Sequence, residues 1–140
     1  MEKIIINTKN APKAIGPYSQ AVKVGNLLYT SGQIPLDSIT GKLVDDNVKN
    51  ATDQCLKNIG KILEEANSSF DKVVKTTVFI KNMGDFPDVN EVYGKYFKDN
   101  QPARSCVEVK LPKDALVEIE VIAIVAVSYT HLTLPTNREV

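Results

Sequence analysis

An arginine and a cysteine stand two residues apart in the stretch PARSCVEV, residues 102–109. Its composition predicts a strand, and side chains along a strand alternate between two faces. One face is expected to line a polar cavity, and it carries Arg104, Cys106 and Glu108. The other face is expected to belong to the core, and it carries Ser105, Val107 and Val109.

The planar, permanently charged guanidinium of Arg104 suits a carboxylate or phosphate held by two parallel hydrogen bonds. The alternative is a solvated arginine on an edge strand. The Cys106 thiol could act as a nucleophile if Arg104 lowered its pKa, although side chains two residues apart on a strand need not touch. We therefore favour a backbone role for Cys106.

Two carboxylates, Glu118 and Glu120, interrupt an apolar run on the same side of another predicted strand. A carboxylate in buried sequence needs a partner, and Arg104 or a bound water is the natural candidate. Partial burial also raises the pKa of a glutamate toward neutrality, which suits general acid/base chemistry on water. Together these residues predict a site that binds a small carboxylate and activates water.

Four further residues could line such a site. Tyr18 follows a Gly-Pro pair in a stiff loop, where its ring either walls a pocket or covers core. Ser31 and Gly32 end a predicted strand, and the glycine indicates either a close backbone approach to a ligand or a bulge. Asn90 lies one position beside the packing face of a predicted helix, where it could reach the site or cap its rim.

Composition and missing motifs argue against several function classes. Seventeen basic and seventeen acidic residues cancel, so we expect no dedicated nucleic-acid partner. The apolar runs are too short for a signal peptide or a membrane span, which favours a soluble cytoplasmic protein. GxGxxG and Walker A motifs are absent. The only histidine is His131, so neither a histidine base nor a zinc site is expected, and Cys55 and Cys106 are interpreted as free thiols.

The remaining pattern predicts the elements that position these residues. Strands are predicted at residues 3–7, 21–24, 27–34, 73–81, 102–109 and 117–127, with a hairpin turn at Gly25-Asn26. Amphipathic spacing predicts one helix over residues 47–66, with Cys55 on its buried stripe, and a second helix capped by Asp85. The packing face of the second helix is predicted to be Phe86, Val89, Tyr93, Tyr96 and Phe97. Two helices on one face of a mixed sheet make an α+β two-layer sandwich.

Residues 1–127 have the length and pattern of a single domain. The strand pattern stops at Ser128, and residues 128–140, SYTHLTLPTNREV, resemble a translated cloning-vector read-through. The alternative is a natural polar tail. Under both interpretations we expect the segment to be disordered.

Six sequence blocks resemble the RidA/YjgF family of reactive-intermediate deaminases and span nearly all of residues 1–127 in the family's order. The blocks are AIGPYSQAV (14–22), TSGQIPLD (30–37), VVKTTVFI (73–80), VNEVYGKYF (89–97), PARSCVEV (102–109) and LPKDALVEIE (111–120). The resemblance implies a chorismate-mutase-like α+β fold and a homotrimer with three active sites between subunits. It also implies hydrolysis of 2-iminobutanoate and 2-iminopropanoate, or their enamine tautomers, to 2-oxo acids and ammonia, without a metal or organic cofactor.

Carried over by motif, the resemblance assigns Arg104 to the substrate carboxylate and Glu118 to the attacking water and its proton. The backbone at Cys106 and around Ser31 and Gly32 would bind the imine end and the water.

Two more residues, Tyr18 from a neighbouring subunit and Asn90, would line the cleft. The chain departs from the family at Lys110, which stands alone between the PARSCVEV and LPKD blocks where relatives usually have one residue more. We expect this shortening to tighten a turn and to leave the strands in register.

Two other functions stay open. One is a non-catalytic trimer that binds small carboxylic acids. The other is a ribonuclease or translation inhibitor, which the neutral net charge of the chain disfavours.

Overall fold

The computed structural model of the chain describes residues 1–127, so the predictions for the tail 128–140 and for His131 lie outside the described residues. Six strands form one sheet in the order β1-β2-β3-β6-β4-β5. The strands are β1 (Lys3–Ile6), β2 (Ala21–Val24), β3 (Leu27–Thr30), β4 (Val73–Ile80), β5 (Ala103–Glu108) and β6 (Val117–Ile124). The helices are α1 (Val48–Glu65) and α2 (Phe86–Tyr96).

The sheet is mixed because β4 and β5 are parallel while every other neighbouring pair is antiparallel. A parallel pair needs a crossover connection, and α2 supplies it between β4 and β5. The predicted α+β architecture is confirmed. No helix among residues 1–127 has both the length and the apolar character that a membrane crossing requires.

Helix α1 matches its prediction to within one residue at each end. It begins after Asn47, whose side-chain oxygen accepts a hydrogen bond from the Asn50 backbone N–H at 2.8 Å. Its apolar stripe is buried against the sheet, and Cys55 on that stripe is a fully buried free thiol. The interpretation of Cys55 as a small core residue is confirmed.

Helix α2 begins after Asp85, as predicted, but the Asp85 side chain makes no capping hydrogen bond. The reason is local geometry: Asp85 is the last residue of a 3-10 turn, Met83–Asp85, and its own backbone is helical instead of extended. The predicted packing face is confirmed at Val89 and Tyr93, which are buried, and at Phe97, which is buried just beyond the helix.

The two faces of the sheet differ in what covers them. Buried residues of β4 and β6 face both helices, and they are Thr76, Val78, Ile80, Val117, Ile119 and Val121. The opposite face carries four large apolar side chains that are each between 42% and 52% exposed: Ile5, Tyr29, Val107 and Ile124. We call this the open face. An apolar sheet face of this kind is typical of a surface that another protein molecule covers.

The assignment of Val107 and its face to the core is wrong. The register pairs Arg104 with Thr76 and Cys106 with Val78, so the arginine and the cysteine share the helix-covered face. Val107 pairs with Phe79 on the open face, where it is 42% exposed. Alternation had separated the two sets of residues correctly, but β5 is an edge strand and its apolar side lies away from the helices.

The strands on either side of Lys110 are intact. Strand β5 pairs with β4 without a break from Ala103 to Glu108, and β6 pairs with β4 without a break from Val117 to Val121. The connection between them is tight: Lys113 and Asp114 both adopt positive φ angles, 56° and 55°. Lys110 lies in this connection, outside both strands.

Candidate functional site

The guanidinium of Arg104 lies against one face of helix α2. Its Nη1 donates a hydrogen bond to Asn90 Oδ1 at 2.7 Å. Its Cζ lies 4.8 Å from the ring centroid of Tyr93 and 5.2 Å from that of Phe86. These three partners are spaced four and three residues apart, so a single helix face presents all of them. We call Arg104 and these partners, together with Cys106, the Arg104 cluster.

Arg104 has no counter-charge in the described part of the chain. No carboxylate of residues 1–127 lies within salt-bridge distance of it. The arginine borders a hollow of about 450 Å³ that is lined by Asn90, Tyr93, Gly94, Gln101, Pro102 and Arg104. A guanidinium has five N–H donors, so a neutral amide and two ring faces leave it able to bind an anion in the fork geometry.

The Cys106 thiol is poorly suited to nucleophilic attack. Burial raises its pKa above the usual value, and the nearby charge of Arg104 lowers the pKa by less than burial raises it. A thiol with a raised pKa carries little thiolate at neutral pH. This favours the predicted backbone role over a nucleophilic one.

Glu118 lies on the open face and touches Gly32. A methyl group added to Gly32 would overlap the Glu118 carboxylate, so the absence of a side chain at position 32 makes room for that carboxylate. Burial, and secondly the charge of Glu120, raise the pKa of Glu118 above its ordinary value of 4.5. A raised pKa makes the carboxylate a stronger base, which suits it to accept a proton from water.

The pairing of β3 with β6 is irregular at the end of β3. Tyr29 pairs with Ile122 and Gln33 pairs with Ile119, so four steps along one strand match three along the other. The extra residue is a bulge at Ser31 and Gly32. The predicted strand therefore ends at Thr30, and the glycine serves both the bulge and the contact with Glu118.

Tyr18 is joined to this bulge through its loop. The Ser31 hydroxyl donates a hydrogen bond to the Ser19 carbonyl at 2.6 Å, and the Ser31 N–H donates to the Gln20 carbonyl at 2.9 Å. The buried Gln20 side chain in turn donates to backbone carbonyls of the preceding loop, those of Thr8, Ala11 and Pro12. Tyr18 itself is 49% exposed, so its ring does not cover core within the single chain. We call Tyr18, Ser31, Gly32 and Glu118 the Glu118 cluster.

The two clusters lie on opposite faces of the sheet. Arg104 pairs with Thr76 of β4, whereas Glu118 pairs with Phe79 of the same strand. Thr76 and Phe79 are an odd number of residues apart, so their side chains and those paired with them point in opposite directions. The expectation that Arg104 neutralises Glu118 is therefore wrong within one chain.

A larger hollow, of about 610 Å³, lies at the ends of β4 and β5. Three of its four charged groups are already paired with one another or with backbone: Lys81 Nζ lies 2.9 Å from Asp114 Oδ2, and Glu108 accepts a hydrogen bond from the Met83 N–H at 2.7 Å. The fourth, Lys110, makes no ion pair within residues 1–127. The Arg104 hollow differs in having a cation that an amide and two rings hold in place. In residues 1–127, no three His, Cys, Asp or Glu side chains come together in a way that could hold a metal ion.

Sequence reasoning missed Tyr93 and Phe86 as partners of Arg104 and Gln20 as the support of the Tyr18 loop. The two aromatic residues were assigned to the core because their helical spacing is the ordinary spacing of a packing face. The available signal was the spacing of Asn90 and Tyr93, three residues apart, which puts a polar group and a ring on adjacent turns.

Comparison with known proteins gives concordant matches. A family model described as Endoribonuclease L-PSP matches residues 8–125. A RutC family protein of Pyrococcus horikoshii is 55% identical over 122 residues, which are 86% of this chain and 97% of that protein. The crystal structure of YyfA of Yersinia pestis, from the conserved Rid protein family, is 55% identical with a TM-score of 0.87 and covers 89% of this chain and 100% of that chain. The structure of E. coli TdcF with bound serine is 43% identical with a TM-score of 0.83, covering 88% and 99%.

Proposed function

The chain belongs to the Endoribonuclease L-PSP family, the family of RidA and YjgF, and from this membership we propose that it hydrolyses small 2-imino acids to 2-oxo acids and ammonia. The single observation that best supports this proposal is Arg104, an unpaired cation held in place beside a hollow. The substrate class includes 2-iminobutanoate and 2-iminopropanoate.

Arg104 binds the substrate carboxylate through two parallel hydrogen bonds. Its contact with a neutral amide fixes the guanidinium plane without neutralising its charge. The structure of E. coli TdcF contains serine, an acid with nitrogen on the carbon next to the carboxylate. A 2-imino acid has the same arrangement of carboxylate and nitrogen, which supports a ligand of this class here.

Glu118 manages the proton of the attacking water. Water adds to the carbon of the C=N bond, and Glu118 accepts one of its protons and passes it to the nitrogen, which becomes an amine in a tetrahedral adduct. Glu118 then moves the proton of the adduct hydroxyl to the amine, so that the C=O bond of the 2-oxo acid forms as the C–N bond breaks and ammonia leaves. Water is the only co-reactant that this hydrolysis consumes, and in our proposal it proceeds without a metal or organic cofactor.

The remaining residues bind and shape the substrate. The backbone at Cys106 and at Ser31-Gly32 binds the imine end and the water. Tyr18 and Asn90 line the cleft.

The active site forms between copies of the chain in a homotrimer. The support for this is the separation of the two clusters on opposite faces, since neither face of one chain carries both Arg104 and Glu118. The exposed apolar residues of the open face supply an area that association would bury. A closed ring, in which the Arg104 cluster of one copy meets the Glu118 cluster of the next, completes every site.

A coupled assay tests the proposed reaction. A threonine dehydratase generates 2-iminobutanoate in the presence of semicarbazide, which traps whatever is not hydrolysed. We expect the protein to suppress semicarbazone formation in proportion to its concentration. If the semicarbazone yield is unaffected while the protein binds serine or a 2-oxo acid, the non-catalytic carboxylate-binding function takes its place.

A further inference from the structure

Two buried hydroxyl groups meet beneath the Arg104 cluster. The hydroxyl oxygens of Thr76 and Tyr93 lie 2.7 Å apart, and either can be the donor. Thr76 is fully buried and Tyr93 is 7% exposed. Neither hydroxyl takes part in the chemistry proposed above. Valine and phenylalanine would fill the same space, so packing alone does not account for the pair.

The hydroxyl pair lies next to Arg104 and to the residues that contact its guanidinium. Thr76 is the residue directly opposite Arg104 in the parallel register of β4 and β5. Tyr93 presents its ring to the guanidinium at 4.8 Å, and Asn90, one turn earlier on α2, accepts the Arg104 hydrogen bond. The Thr76–Tyr93 bond thus joins the strand beside Arg104 to the helix that carries its partners.

The Tyr93 ring is also packed within a group of aromatic rings. Its centroid lies 4.5 Å from that of Phe97, and Phe97 packs edge-on against Phe70 at 5.4 Å. These contacts restrain the ring against the core. The hydroxyl bond to Thr76 restrains sideways movement of the far end of the ring.

We propose that the Thr76–Tyr93 hydroxyl pair is a positioning device that holds the ring and amide surface on which the Arg104 guanidinium rests. The inference rests on the proposed role of Arg104 as the carboxylate clamp. An arginine whose supporting surface is fixed has little side-chain freedom left to lose when a ligand binds. Loss of the bond should therefore weaken substrate binding and leave the chemical step nearly unchanged.

Three variants separate positioning from stability. Tyr93→Phe and Thr76→Val each leave one buried hydroxyl without its hydrogen-bond partner, so both should lower the melting temperature. The double variant replaces both polar groups and should regain most of that loss. We expect KM for the imino acid to rise about fivefold to tenfold in all three variants, with little change in kcat. A KM that returns to the wild-type value in the double variant would mean that the pair acts only through stability.

Tyr96→Phe is the matched control. Tyr96 lies on the same helix and donates a hydrogen bond to Asp53 Oδ1 at 2.5 Å, and it is not among the contacts of the guanidinium described above. Removing this hydroxyl should change the melting temperature without changing KM.

A readout on Arg104 itself keeps the test independent of activity. The chain has two arginines, Arg104 and Arg138, so Arg104→Lys identifies the Arg104 guanidinium signals in an NMR spectrum. The signal of Nη1, which donates to Asn90, should broaden in Tyr93→Phe but not in Tyr96→Phe. An unchanged signal in Tyr93→Phe overturns the positioning role, whatever the assay gives. Failure of the wild type to hydrolyse the imine overturns the proposed function and leaves the NMR comparison valid.

Discussion

Replacing Arg104 with alanine is expected to lower kcat/KM for 2-iminobutanoate by about 100-fold to 1,000-fold, because two hydrogen bonds to a carboxylate are lost. The effect should fall mainly on KM, since the substrate carboxylate is bound in the ground state as well as in the transition state. Stability should change little, because the side chain is exposed and makes no ion pair within residues 1–127. Steady-state kinetics in the semicarbazide assay measures both parameters.

Two controls show whether the fork geometry matters as well as the charge. Arg104→Lys retains the charge but cannot form the two parallel bonds, so it should recover only part of the lost affinity. Lys61→Ala removes an exposed cation of α1 that pairs only loosely with Glu64, at 3.9 Å, and should leave kinetics unchanged. An Arg104→Ala variant within about threefold of wild-type kcat/KM would show that the arginine does not bind the substrate.

Glu118→Gln is expected to lower kcat by about 100-fold to 10,000-fold with little change in KM, because the amide keeps the shape of the side chain but cannot accept a proton. In the wild type, burial and the charge of Glu120 raise the pKa of Glu118 above 4.5. The acid limb of the pH–rate profile should therefore lie above the range of an ordinary glutamate. The rate should fall as the pH decreases through that raised pKa.

Glu120→Gln is the matched control for this prediction. It changes the same functional group two residues away on the same face of β6. Most of the activity should remain, and the acid limb should move to lower pH because one cause of the raised Glu118 pKa is gone. Equal losses in the two variants would contradict the assignment of the proton transfer to Glu118.

The raised pKa also fixes the sign of the stability change in Glu118→Gln. The folded state binds the Glu118 proton more tightly than the unfolded state does. The protonated carboxyl therefore stabilises the folded state below the unfolded-state pKa, and this contribution is lost as the pH rises through the folded-state pKa. At neutral pH the glutamine variant should therefore melt at a higher temperature than the wild type. The difference should shrink as the pH falls below 4.5, when compared at one protein concentration.

Local pattern was sufficient to predict most of the elements. The amphipathic spacing of α1 and the Gly25-Asn26 hairpin were confirmed because each depends on residues close together in the chain. The same holds for the alternation that puts Arg104 and Cys106 on one face of β5. Which face the helices cover is a different question, because it depends on the order of strands in the sheet. The sequence around Val107 carries no signal of that order.

The relation between Arg104 and Glu118 could not be predicted for the same reason. Strand β4 lies between β5 and β6, and its two registers decide that the clusters lie on opposite faces. A shift of one residue in either register would have put them on the same face. The Thr76–Tyr93 pair escaped prediction because both residues have the spacing of ordinary core positions.

In the proposed homotrimer, each active site takes Arg104 from one copy of the chain and Glu118 from another. Mixing Arg104→Ala with Glu118→Gln in equal amounts, after dissociation and reassembly, tests this arrangement. Each site then receives an intact Arg104 half of the time and an intact Glu118 half of the time, so activity should recover to about a quarter of the wild-type value. Mass spectrometry of differently tagged chains confirms that mixed assemblies have formed. Mixed assemblies that remain as inactive as the separate variants would place both residues of a site in one chain and rule out the shared site.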